Sequence, residues 1–166
     1  MSRKFIWLAF VCLALAVAPL AAAQAGKKPG LWEVTSKMTW KQSPIPDGAG
    51  GPGGPPPNPP PHSTQVCLTQ AMIDKYGGPI PQTQDCKISN VNKTAKSMTA
   101  DWVCSGRMSG KGTIDMSWAD ENRTTGKIHF AGTLQTSQEA TRPVEWTNEL
   151  TAVYKGPDCG TIKPVE

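Results

Sequence analysis

The chain has 166 residues, with 17 Lys and Arg against 13 Asp and Glu, a formal charge of +4 and only 18% charged positions. Those charges are scattered rather than gathered in a basic stripe, which argues against nucleic acid as a partner. The length suits one ordinary hydrophobic core and leaves too little for two.

The chain opens with Arg3 and Lys4, without an acid, and continues in an apolar run from Ile6 to Ala23 broken only by Pro19. A charged start, a run near the lower limit for spanning a bilayer and small residues at its end describe a secretion signal better than a retained membrane anchor. Ala23-Gln24-Ala25 places the cut before Gly26, with Ala21-Ala22-Ala23 as the second choice. Residues 1–25 are therefore expected to be removed, and Cys12 with them, leaving 26–166 as a single periplasmic or secreted domain without a transmembrane segment. Losing Arg3 and Lys4 leaves 15 basic residues against 13 acidic ones.

From Leu31 to Trp40 the side chains alternate, with Trp32, Val34, Met38 and Trp40 on one side and Glu33, Thr35, Lys37 and Thr39 on the other. This is the period of a half-buried strand. Between Ser43 and His62 there are nine prolines and five glycines, which can supply neither a sheet ladder nor a helix, so 43–62 is expected to be an exposed loop inserted within the domain. Ser63 to Leu68 reads as a second strand. Thr69 then caps a short helix through Met72, Ile73 and Tyr76 that Gly77-Gly78-Pro79 ends.

A weaker strand, Cys86 to Val91, turns at Asn92-Lys93-Thr94-Ala95-Lys96 into a clearer one in which Met98, Ala100, Trp102 and Cys104 share a face. Arg107 to Trp118 repeats the device with Met108, Ile114, Met116 and Trp118 inward, and Asp120-Glu121-Asn122 makes a hairpin tip. Thr124 to Thr136 turns Ile128, Phe130 and Leu134 inward, and Arg142 to Lys155 does so with Val144, Trp146, Leu150 and Tyr154. The expectation is an all-β fold with one short helix, an antiparallel meander of about seven strands that a barrel or half-barrel would protect at its edges. The tail after the last cysteine, Gly160 to Glu166, reads as an unstructured end.

The mature chain keeps Cys67, Cys86, Cys104 and Cys159. An even count in an exported protein is most simply two disulfides, and sequence leaves three pairings open. Cys67 with Cys86 and Cys104 with Cys159 is the preferred set, since it closes one short loop and ties the tail to a central strand. A zinc site is disfavoured by the wide spacings, the lack of a Cys-x-x-Cys pair and the presence of only two histidines after the leader.

The order Lys28-Pro29-Gly30-Leu31-Trp32-Glu33-Val34, Val66-Cys67-Leu68-Thr69, Asp85-Cys86-Lys87, Trp102-Val103-Cys104 and Gly156-Pro157-Asp158-Cys159 resembles the bacterial envelope family catalogued as domain of unknown function 3617. The resemblance covers nearly all of the mature chain and implies a small exported β protein, without implying a reaction. Members often look methionine-rich in the loop after the first strand, where this chain has proline, glycine and Asn58.

Little catalytic chemistry is visible. His62 borders the proline loop and His129 sits on the polar phase of its strand beside Lys127, and no spacing brings a nucleophile, a histidine and a carboxylate together. Gly50-Gly51-Pro52-Gly53-Gly54 lacks the amide donors and the following Lys-Ser/Thr of a phosphate loop. Trp32, Trp40, Trp102, Trp118 and Trp146 all fall on apolar phases. They line either a cavity for an apolar ligand or, more simply, the core. Met38, Met98, Met108 and Met116 share that phase, and core packing accounts for them more simply than copper(I) does. The expectation is an envelope protein without enzymatic activity, cofactor or metal. It would bind a small apolar ligand on its Trp/Met-rich face or, alternatively, serve as a structural or interaction module through the proline loop.

Overall fold

A strand with one dry face needs bulky apolar side chains at every second position, and in the computed structural model of the chain that period organises eight strands around one short helix. Residues 27–45, 58–80, 83–137 and 140–165 are described. The leader at 1–25 and the greater part of the expected loop, 46–57, lie outside them. The elements are β1 (Gly30–Gln42), β2 (His62–Leu68), α1 (Gln70–Tyr76), β3 (Cys86–Lys93), β4 (Ser97–Ser105), β5 (Met108–Ser117), β6 (Arg123–Gln135), β7 (Thr141–Gly156) and β8 (Pro164–Val165). In β4, for example, Met98, Ala100, Trp102 and Cys104 are buried while Thr99 and Val103 are exposed.

All strands join one sheet in the order β3-β4-β5-β6-β7-β1-β2-β8. The first seven strands pair antiparallel, and from β3 to β7 the chain meanders. β7 then pairs with β1, so that Trp32 faces Tyr154 and Trp40 faces Trp146, and β1 continues into β2. The tail departs from expectation: Ile162 donates its amide to the Cys159 carbonyl, and Pro164–Val165 pairs parallel with Cys67–Leu68. An end tied to β2 by a disulfide starts close to the β2 edge, whose free backbone groups recruit it.

The sheet is open, with β3 and β8 as its edges, but it is curled. Trp102 on β4 and Trp146 on β7 lie three strands apart, about 14 Å on a flat sheet, yet their ring centroids are 5.8 Å apart. Phe130 completes a triangle with them, 5.6 Å from Trp102 and 5.5 Å from Trp146. The strip must bend, and Trp102 must lean across Gly112, its partner on β5. Gly110 and Gly132 face each other in the next row, and a Cβ on Gly110 would sit 2.9 Å from the Phe130 ring. The missing side chains therefore make room for the aromatic rings. Edge-to-face and stacked rings add to the apolar burial that drives this core.

α1 closes one end. Thr69 is its N-cap, with Oγ1 accepting from the Met72 amide at 3.2 Å, and Gly77 in the left-handed region (φ 75°) ends it by donating to the Ile73 carbonyl. Met72, Ile73 and Tyr76 are buried, and together with Ile80 they cover the two halves of the core. The Lys93 ammonium donates to the Ile73 and Asp74 carbonyls, where the negative end of the helix favours a cation. Among the described residues no helix is long and apolar enough to cross a membrane.

The cysteines pair as Cys67–Cys159 and Cys86–Cys104, which overturns the set preferred from sequence. Cys86 and Cys104 are cross-strand partners on β3 and β4. The Ser105 amide donates to the Asp85 carbonyl one step away, which makes the cysteines a narrow, non-hydrogen-bonded pair whose Cα atoms are 4.0 Å apart. Register thus joins them to each other and leaves Cys67 to Cys159. Cys159 lies just beyond the end of β7 and meets Cys67 near the end of β2, with Cα atoms 5.5 Å apart.

Candidate functional site

The five tryptophans after the leader do not form one surface. Trp102 and Trp146 pack with Phe130 in the main core, and Trp32 packs edge-to-face on Tyr154 in a second cluster with Leu68, Ile73 and Ala152. Trp118 lies under Gly77 at the end of α1 and donates its indole N–H to the Ala95 carbonyl at 2.7 Å. These four are at most 7% exposed. Trp40 differs: it ends the row Trp102-Gly112-Phe130-Trp146-Trp40 and is only half-buried, as are Met38, Met108 and Leu134 against the same core.

Beside that row runs another, Ala100-Ile114-Ile128-Asn148-Met38. Asn148 occupies an apolar phase of β7 between Trp146 and Leu150, and its Oδ1 is buried without a hydrogen-bond partner. An unpaired buried carbonyl costs free energy, and this one sits one row from Trp40. A polar side chain breaking the apolar phase was visible in the sequence and is the one signal that marks this position. Thr124, fully buried, leaves its hydroxyl unpaired as well.

Lys27 is a second feature that composition hides. It is 4% exposed, with its ammonium donating to the Arg123 carbonyl at 2.8 Å and lying 5.0 Å from the centre of the Trp32 ring and 5.6 Å from that of Trp118. Burial pulls its pKa down to about 8, and the nearby Asp120 carboxylate opposes the shift. The adjacent Lys28 pairs with Glu121 at 2.5 Å. Together these residues fasten the segment before β1 to the β5–β6 hairpin tip.

On the opposite face His129 Nε2 lies 3.2 Å from Glu145 Oε1, and the Lys41 ammonium donates to the same oxygen at 2.7 Å. Hydrogen bonds from Lys41 and then His129 hold the Glu145 carboxyl below its ordinary range. Thr113 and Thr147 flank His129 across the ladder without bonding to its ring. His62 starts β2, exposed, opposite Ser36. An open depression of about 530 Å³ occupies the polar face over β4 to β7, and His129 is not among its lining residues. Among the described residues no three His, Cys, Asp or Glu side chains gather as a metal-binding group.

The class defined by these features is a curled, open antiparallel sheet with two disulfides, a core of aromatic rings on one face and ordered polar rows on the other. The chain belongs to the family described as Protein of unknown function (DUF3617), which matches residues 27–159. No curated protein and no solved structure matches it.

Proposed function

We propose that this is an exported, non-enzymatic envelope protein that works in the periplasm and holds a small, mainly apolar ligand at the open end of its aromatic row. The observation that carries the reading is the unpaired Asn148 Oδ1, opposite half-buried Met38 and one row from half-buried Trp40. Apolar walls with one placed polar atom are the usual make-up of a small-molecule site, and here the ligand would bring a single hydrogen-bond donor to Asn148. Export is supported by the signal-like leader and by the two disulfides.

The test is native mass spectrometry of protein purified from its own periplasm, together with titration by apolar fluorescent probes. A bound species and a change in tryptophan emission are expected, and Asn148→Leu should weaken binding about tenfold, the worth of one hydrogen bond to a buried group. No bound species and unchanged emission across the probes would refute the reading.

A second reading, an interaction module acting through 43–62, draws on one bond. Asn58 Oδ1 accepts from the Trp40 amide at 2.8 Å, which anchors the end of the loop beside the same opening. Crosslinking pull-downs with and without Ser43–Pro61 separate the two readings, since an unchanged partner set excludes the loop as the contact.

A further inference from the structure

The polar face of the sheet is as regular as the apolar one. Ser97, Ser117, Thr125, Thr151, Thr35 and Ser63 stand opposite one another on β4, β5, β6, β7, β1 and β2. One hydroxyl per strand thus runs across the sheet at intervals of about 4.8 Å. The next row is Thr99, Asp115, Lys127 and Glu149, in register on β4 to β7. The depression of about 530 Å³ lies over these two rows.

The charged groups in it are unspent. Asp115 faces Lys127 and Lys127 faces Glu149, the placement in which opposite charges on neighbouring strands ordinarily join. Among the described residues, however, the four ion pairs are Lys28–Glu121, Lys41–Glu145, His129–Glu145 and Lys155–Glu33. None of the three side chains in the depression takes part in them.

We infer that this trough is a binding site for an extended oligosaccharide lying across the strands. The floor excludes the main alternatives. β5, β6 and β7 are paired on both sides, so no backbone amide or carbonyl is free there to bind a peptide by strand addition. Within the depression two carboxylates flank Lys127, which repels a polyphosphate chain, and Lys37, opposite Glu149 on β1, is not among the lining residues. An apolar ligand would have to take the Asp115, Lys127 and Glu149 charges out of water without pairing them. What remains complementary is a chain that offers hydroxyl or amide groups at a repeat close to the strand spacing, about the length of one pyranose ring. Ser and Thr hydroxyls both donate and accept, so Ser117 and Thr125, which bond each other at 2.9 Å, and Ser97, which bonds Thr94 at 2.8 Å, keep capacity for a ligand, while Asp115 and Glu149 accept and Lys127 donates. This site is on the opposite face from Trp40 and stands independently of the apolar-ligand reading.

The test is an NMR titration of the isotope-labelled mature protein with chitohexaose and with cellohexaose, following backbone amides. Saturable shifts are expected at Thr99, Asp115, Ser117, Thr125, Lys127 and Thr151. The double variant Thr151→Val and Lys127→Met, which keeps strand-compatible side chains, should bind about tenfold more weakly with an otherwise native spectrum. Trp40→Ala should bind the sugars as the wild type does. No saturable shift with either sugar overturns the proposal, as does a response confined to Met38, Trp40 and Asn148. Sedimentation showing that a second copy of the chain covers this face would overturn it too.

Discussion

A lysine ammonium enclosed by two indoles and a carbonyl keeps its proton less firmly than one in water, because the rings and the carbonyl replace only part of its hydration. For Lys27 the folded pKa is about 8 against an ordinary 10.5. Below about pH 8 it is charged in both states, and the fold bears the full cost of burying that charge. Between 8 and 10.5 the unfolded chain binds more protons than the folded one, so stability gains from this group as pH rises. Lys27→Met, which fills the same space without a charge, should lack that gain. In chemical denaturation from pH 6.5 to 10, wild type should gain ground on the variant above pH 8, and parallel curves would show that Lys27 does not carry the effect. None of this is legible in the sequence, where Lys27 and Lys28 read as scattered charge: burial depends on Trp32 and Trp118, which lie 5 and 91 positions away along the chain.

The strands themselves were readable, because a period of two needs only neighbouring residues, and β4, β5, β6 and β7 bury most of the positions that alternation picks out, with Met108, Leu134 and Tyr154 half-buried. Pairing was not, because it depends on which strands become neighbours. β1 lies between β7 and β2, a placement no local pattern encodes, and it brings the end of β7, with Cys159, to the end of β2, with Cys67. Cys86–Cys104 did leave a trace: the two cysteines are equidistant from Ala95 in the turn that joins their strands. Peptide mapping without reduction should recover these two pairs and no other. The bridges should also differ in weight, since loop-closure entropy is worth about 3 kcal/mol for the 18-residue separation and about 4.6 kcal/mol for the 92-residue one. Replacing Cys67 and Cys159 by Ser should therefore lower the urea midpoint more than replacing Cys86 and Cys104, and the reverse order would mean that local packing outweighs loop length.

At the scale of the whole molecule, the fold depends on β1 joining the two ends of the chain's sheet: it pairs with β7 along nearly its full length and with β2 from Gly30 to Ser36. The β1–β2 ladder ends at Ser36 and His62, and the Trp40–Asn58 hydrogen bond fixes the returning chain again beyond it. The intervening 46–57 segment is thus bracketed by contacts that belong to the sheet and not to the segment. Replacing 46–57 with about six Gly and Ser residues, a coil long enough to bridge flexibly, should leave the fold intact. Halving a flexible loop changes its closure cost by only about 0.6 kcal/mol, so the urea midpoint should stay close to that of the wild type and the β-type circular dichroism should not change. A loss of several kcal/mol would show that the segment supplies part of the core.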